Sequence, residues 1–304
     1  MIPSDLNLRN QPIAGAMFVL GSSLMFALMG ACVKTASASL PNEVIVFFRN
    51  FYVLLMMIPF LLCRPPRGGI KTGHFRLHLI RSTAGLTGMY CFFYALGHLP
   101  FAEAVLFSFT SPLFIPIIAY LWIGEPVPGR IRGAVFIGFA GVLLVIRPGT
   151  EMFQPVSFVG IISGCSVAVA MVSIRRMSAS EPPARIVFYF SLLATPVSCF
   201  PLFVSWQSPQ GETWIILFLM GLFAVTGQLM MTKGYSLAAA AQVGPFSYGI
   251  VIFSALMGQI FWNESLDWMT ALGALLICFA GILTTYRSKA VPATPGTWHG
   301  SEDT

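Results

Sequence analysis

Apolar residues in this chain run in long blocks rather than in alternation. Blocks close to the ~20 residues that carry an α-helix across ~30 Å of hydrocarbon lie at about 13–33, 44–63, 77–96, 101–123, 131–146, 156–174, 184–205, 213–234, 240–262 and 268–286. The pattern predicts an all-α integral membrane fold of ten transmembrane helices, with no room for a soluble domain between them. The fifth block is the shortest, followed by the sixth and the tenth. The first dozen residues are polar and no small-residue cleavage site follows the first block, so that block reads as a retained span rather than a signal peptide. Residues 288–304 read as a disordered cytoplasmic tail.

Composition agrees. The 304 residues are 56% hydrophobic and 9% charged, against roughly 25% charged in soluble domains. The net charge of +6 does not imply nucleic acid, because the basic residues cluster by loop as the positive-inside rule requires. With the N-terminus in the cytoplasm, that side receives Arg9, Arg64, Arg67, Lys71, Arg76, Arg130, Arg132, Arg175, Arg176, Arg185, Arg287 and Lys289, and the other side only Lys34 and Arg147. Both termini are therefore expected in the cytoplasm and the chain in the cell inner membrane. Arg49, Arg81 and Lys233 remain inside predicted spans. The six cysteines are isolated and read as packing residues. His74 and His78 share a helical face without a third ligand, so neither a metal nor any other cofactor is expected.

The chain repeats itself. A shift of 139 residues aligns Thr87-Gly88 with Thr226-Gly227, Phe107-Ser108 with Phe246-Ser247, Phe114 with Phe253 and Glu125 with Glu264. After one insertion, a shift of 140 aligns Phe139-Ala140-Gly141 with Phe279-Ala280-Gly281. Residues 13–147 and 156–287 are thus two copies of five spans each. An odd number of spans makes the second copy enter the membrane from the opposite side, and such inverted repeats give many secondary transporters two pseudo-symmetric states around a midplane site. Glu125 and Glu264, each following a span, are expected to cap a helix or hold a loop.

Phe47-Phe48-Arg49 on span 2, Arg81 opening span 3, Tyr94-Ala95-Leu96 through Ala102, Ser111-Pro112 on span 4, Gly124-Glu125, and the Phe-Ala-Gly of spans 5 and 10 together resemble the EamA domain of the drug/metabolite transporter (DMT) superfamily. The resemblance covers residues 13–287. It implies two inverted five-helix EamA repeats and a central cavity lined by spans 1, 3, 4, 6, 8 and 9. It also implies that one chain forms the pathway without ATP hydrolysis, whether it stands as a monomer or a homodimer. Within the family the layout is similar to exporters of opine-type metallophores and to S-adenosylmethionine carriers.

A charge near mid-bilayer costs ~2.5–3.5 kcal/mol on insertion scales, so it needs a partner, an aqueous cavity or an escape to the interface. Arg49 on span 2 and Glu103 on span 4 are expected toward the same third of the membrane, where they form a structural ion pair or else serve the substrate. In the second case Arg49 takes a carboxylate, and Glu103 takes an amine or a proton. Glu103 is the sole carboxylate inside a predicted span, hence the candidate for proton coupling. Arg81 and Lys233 sit near cytoplasmic ends and are expected to snorkel. The repeat sets Lys233 against Tyr94 and Glu103 against Gln242, so functional asymmetry is expected there. Tyr90, Ser108, Ser111, Gln228, Gln242 and Tyr248 complete the polar groups on the cavity-lining spans, while Pro112, Pro116 and Pro245 interrupt spans 4 and 9.

These residues suit a small, amphipathic, carboxylated amino-acid derivative, and the resemblance to the family implies that it is exported. Uptake of S-adenosylmethionine or a similar metabolite is the alternative. An integral membrane enzyme is disfavoured, since the chain lacks His-Glu-x-x-His, Gly-x-Ser-x-Gly and paired intramembrane Asp residues. A lipid flippase would share the same hydrophobic character.

Overall fold

The structure is a computed structural model, whose described residues are 12–63, 69–123, 129–146, 154–177, 180–237, 244–265 and 267–286. Its helices are α1 (Pro12–Ala36), α2 (Asn42–Cys63), α3 (Phe75–His98), α4 (Phe101–Ser108), α5 (Ser111–Ile123), α6 (Gly129–Ile146), α7 (Val156–Met177), α8 (Pro183–Cys199), α9 (Leu202–Ser205), α10 (Thr213–Leu237), α11 (Gly249–Trp262) and α12 (Trp268–Tyr286). A 3₁₀ turn, Gly244–Tyr248, leads into α11. Among the described residues, five segments are long and apolar enough to cross a membrane by length and composition: Ile13–Ala36, Asn42–Cys63, Phe101–Trp122, Val156–Ile174 and Thr213–Met231. Arg132–Val145, Ala184–Cys199, Phe246–Trp262 and Trp268–Ala280 are shorter apolar helices.

Three expected spans are not continuous helices. The block at 101–123 divides into α4 and α5 at Phe109-Thr110, where the Thr110 hydroxyl donates to Phe107 O at 2.6 Å and Pro112 brings no N–H to extend the α4 ladder. The block at 240–262 begins, within the described residues, as the 3₁₀ turn. The block at 184–205 breaks after Cys199 around Pro201 and ends as the single turn α9. At the end of α11, Asn263 takes the left-handed conformation (φ 53°), which lets the Glu264 N–H reach Gly258 O at 3.1 Å and turns the Glu264 side chain back on the bundle.

The halves interdigitate. α1 packs chiefly on α10, α3 on α7 and α6 on α12, while α2 packs on both α8 and α10, each pair taking one helix from each repeat. The duplication maps α1 onto α7 and α3 onto α10, so the first two contacts are the same contact made twice. Glycines set their closeness. A Cβ at Gly88 would lie 3.3 Å from Ser166 Cβ on α7, and one at its repeat mate Gly227 would lie 3.2 Å from Met25 Cβ on α1. Phe109 and Tyr248, also mates, meet edge to face with ring centroids 6.1 Å apart, so the two helix breaks adjoin at the centre. Serines tie each break to the opposite repeat. Ser23 donates toward Phe246 O and Ser247 O (3.3 and 3.2 Å), and the Ser163 hydroxyl lies 2.9 Å from Gly88 O and 3.4 Å from Ser108 Oγ.

Polar latches join the repeats at both ends of the bundle. At one, Lys34 closing α1 bonds Glu264 Oε1 (2.8 Å) and Leu99 O (2.7 Å), while Glu264 Oε2 accepts the Phe101 N–H at 2.6 Å. Glu264 thereby caps α4 and holds the α3–α4 turn. Glu125 lies outside the described residues. At the other end Glu181, buried ahead of α8, pairs with Arg185 Nη1 (2.7 Å) and accepts from the Thr72 hydroxyl, and Arg185 Nη2 donates to Gly69 O at 2.7 Å. Burial raises the Glu181 carboxyl, but the hydrogen bonds from Thr72 and Arg185 and the charges of Arg185 and His78 outweigh it, leaving the group below its ordinary value.

Two outcomes are expected in melting curves of detergent-purified protein. A Cβ at Gly141 would stand 2.8 Å from Gly273 O and 2.9 Å from Leu276 Cβ, whereas Gly133 faces open space. Gly141→Val should therefore cost about 1–3 kcal/mol by overpacking, and Gly133→Val far less. A carboxyl whose folded value is depressed contributes stability above its unfolded value and loses it as the pH falls through the folded one. Glu181→Gln should accordingly lower the melting temperature at neutral pH, with the gap to wild type closing only as the pH drops below about 4.

Candidate substrate site

Buried polar atoms without partners concentrate between α2, α3 and α8. The register is set by Asn42, whose amide Nδ2 donates to Tyr90 O at 3.0 Å and so places the start of α2 beside the second half of α3. From that anchor Arg49 lies ~10 Å along α2 and Arg81 ~14 Å back along α3, at ~1.5 Å per residue. The antiparallel helices thus bring the two arginines nearly level. Phe190 of α8 completes the group. The Arg81 guanidinium carbon stands 4.1 Å from the Phe190 ring centroid and that of Arg49 stands 5.9 Å from it.

Neither arginine has an acid among the described residues. Arg49 is 5% exposed and donates from Nη1 to Asn50 Oδ1 at 3.2 Å. Arg49 Nε, Asn50 Nδ2, Arg81 Nε and Nη1, and Ser82 Oγ are all buried without a hydrogen-bond partner. So are the Tyr90 hydroxyl and Asn42 Oδ1 farther along the same helices. Intramembrane charges otherwise pair with one another or with backbone, and those that face a bundle interior mark substrate and ion pathways. An aromatic face offsets part of the cost of a cation, but it does not satisfy the N–H groups.

Two expectations are corrected here. Arg49 does not pair with Glu103. From Arg81, level with Arg49, α3 runs ~25 Å to His98 before the chain turns, and Glu103 lies only in the first turn of α4. Glu103 instead lines a cavity of about 250 Å³ with Pro100, Gly258, Glu264, Asp267 and Thr270, beside the Lys34 latch. Nor does Arg81 snorkel. Its side chain folds the other way, over Gly85 one turn deeper, where an added Cβ would collide with Arg81 Nη1 and come within 2.9 Å of Phe190 Cε2. Gly85 vacates the groove that the guanidinium fills.

The remaining predicted residues divide. Ser108, Ser111 and Tyr248 sit at the central helix breaks, Ser108 near Ser163 and Tyr248 against Phe109. Gln228 is half-buried on α10 next to Gly227. Tyr94 lies on the exposed side of α3, stacked on His98 with centroids 4.1 Å apart, and Lys233 is exposed on α10. Those two do not join the arginine group. Gln242 lies outside the described residues. Sequence reasoning missed Phe190, one of 27 phenylalanines, and Asn50. The adjacency of Asn50 to an embedded Arg49 was the available signal.

Long apolar helices from two interdigitated halves, closed over a buried and unneutralised polar interior, define a multi-pass helical membrane carrier. The chain belongs to the EamA-like transporter family, which matches residues 13–147 and 154–286. It is similar to the pseudopaline exporter CntI of Pseudomonas aeruginosa (strain UCBPP-PA14), at 31% identity over 91% of this chain and 97% of the relative. A riboflavin transporter of Vibrio cholerae is 25% identical over 93% of this chain and 97% of its own, and an S-adenosylmethionine uptake transporter of Rickettsia felis is 25% identical over 81% and 83%. A solved crystal structure shares the fold, with a TM-score of 0.65 at 18% identity over 92% of this chain and 100% of that one. The protein is a small-metabolite transporter and not an enzyme.

Gly85→Ala should fold normally, since Ala favours helix, yet it should push Arg81 off Phe190. Transport of the cognate metabolite by cells bearing this variant is expected to fall about tenfold, equivalent to ~1.4 kcal/mol, at unchanged membrane abundance. Wild-type transport would show that the groove has no part in function.

Proposed function

We propose that the chain spans the cell inner membrane ten times with both termini in the cytoplasm, and that it exports a small amphipathic metabolite bearing a carboxylate, of the opine-type metallophore class. The observation that carries the substrate reading is Arg49, embedded in the bundle with its Nε unpartnered among the described residues. A guanidinium offers a planar fork that matches a carboxylate and stays charged at any physiological pH. The topology rests on the distribution of basic residues, twelve against two, and export on likeness to a relative named as an exporter.

In this topology the Lys34–Glu264 latch closes the periplasmic face and the Glu181–Arg185 group ties the cytoplasmic one. Export alternates between states in which one latch is broken and the other made, the substrate resting between them at the Arg49–Arg81–Phe190 group. Tyr90, Ser108, Ser111, Gln228, Gln242 and Tyr248 supply neutral hydrogen bonds along that path. Glu103, in its cavity beside Glu264 and Asp267, remains the residue for proton coupling, and one chain forms the pathway. Uptake of a cationic metabolite such as S-adenosylmethionine fits less well, because two guanidiniums around Phe190 repel it.

The test compares cells with and without the chain by untargeted mass spectrometry of cytoplasm and medium. Deletion is expected to raise a carboxylated metabolite inside and remove it from the medium, and Arg49→Gln to reproduce most of that loss. A metabolite that instead fails to enter the deletion strain would reverse the direction. Full export by Arg49→Gln would sink the carboxylate reading.

A further inference from the structure

We infer that Arg49 and Arg81 are a two-point receptor, and that the substrate class is a molecule with two separate carboxylates flanking an apolar segment that lies on the Phe190 ring. The inference rests on the carboxylate reading of the same site and goes past it in assigning Arg81 to substrate and in counting the anionic groups. Both guanidiniums address one ring, at 4.1 and 5.9 Å, and the sum of those distances bounds their separation. Two like charges held that close without an acid among the described residues repel each other in a medium that screens poorly. A ligand that brings one negative charge to each would remove the repulsion and satisfy the orphaned donors together.

The donors are arranged for two groups rather than one. Arg81 has Nε and Nη1 open, donors on different edges of its guanidinium because Cδ occupies the edge between them, so one carboxylate oxygen can reach either of them. Arg49 has Nε open, with Asn50 Nδ2 also open on the adjoining residue. Arg49 Nη1 is already committed to Asn50 Oδ1, which turns the Asn50 amide so that its nitrogen is left to donate. Phe190 lies against both, offering carbon where neither group needs a hydrogen bond. Asn42 Oδ1, an orphaned acceptor at the Tyr90 end, suits an N–H on such a molecule.

Binding to the full-length protein purified in detergent tests this, read as thermal stabilisation against ligand concentration. The probes are N-benzoyl-glutamate, which has two carboxylates and a ring, N-benzoyl-glutamine, its monocarboxylate counterpart, and phenyl phosphate, a single compact dianion. Wild type is expected to bind the glutamate compound at least tenfold more tightly than the glutamine compound. Arg81→Gln should erase that preference while leaving the glutamine compound's affinity unchanged, and Arg49→Gln should weaken both. Where Arg81→Gln does not fold, Arg81→Lys keeps the charge but not the Nε donor and should reduce the preference at least threefold.

Equal affinity for the two benzoyl compounds, a preference untouched in the Arg81 variants, or equal weakening of both compounds by Arg81→Gln would overturn the inference. So would tighter binding of phenyl phosphate than of N-benzoyl-glutamate, since the guanidiniums would then be closing on one dianion. Absence of binding by any probe at millimolar concentration overturns it as well. The export reading fails separately, through a metabolite that fails to enter the deletion strain, and the carboxylate reading through normal export by Arg49→Gln in cells.

Discussion

Inside a bilayer no water stands ready to satisfy a freed backbone group, so a helix can break only where protein covers the break. The architecture follows from that constraint. Both breaks near the centre, at Phe109-Thr110 and at Gly244–Tyr248, face the other repeat, and Ser23 and Ser163 reach across from α1 and α7 to meet them. Edge-to-face packing of Phe109 on Tyr248 seals the junction. The irregular segments that a carrier needs for a path are thus the same segments that hold its halves together, and neither repeat can cover its own break.

The charged groups obey a related rule with the opposite outcome at different depths. At the ends of the bundle, Lys34 with Glu264 and Arg185 with Glu181 are paired and also hydrogen-bonded to backbone, the arrangement in which a partly buried ion pair recovers its desolvation cost. Between them Arg49 and Arg81 have an aromatic face and no acid among the described residues. On the proposed function, the paired charges fix a state and the unpaired ones receive the ligand. Glu103, in a cavity with other carboxylates beside a latch, belongs with the first group by position.

Much of this was legible in the chain. Block lengths gave the helices, the 139-residue repeat gave the pairing of like contacts, and Glu264 was recognisable as a cap from its place after a span. What escaped was side-chain direction. Arg81 near a helix start would ordinarily run toward the interface, and only the missing Cβ of Gly85 together with the ring of Phe190 sends it inward. A linear pattern records neither which of 27 phenylalanines faces an arginine nor whether Tyr94 and Tyr90, four residues apart, share an environment. One is stacked on His98 at the exposed side and the other buries its hydroxyl. Arg49 and Glu103 looked like neighbours because each lies a few residues inside its own block, but they were counted along helices that do not start level.

The crossed pairing of the halves has a consequence for how the chain is made. α1 finds its principal partner in α10, and α6 finds its own in α12, the last described helix. Neither contact can form during synthesis of the first half. α6 must therefore wait in lipid, with Gly141 uncovered, until α12 has been made, and the protein acquires this part of its interior in a late step rather than span by span. Loss of α12 alone would leave α6, in the first repeat, without the surface it was shaped to meet.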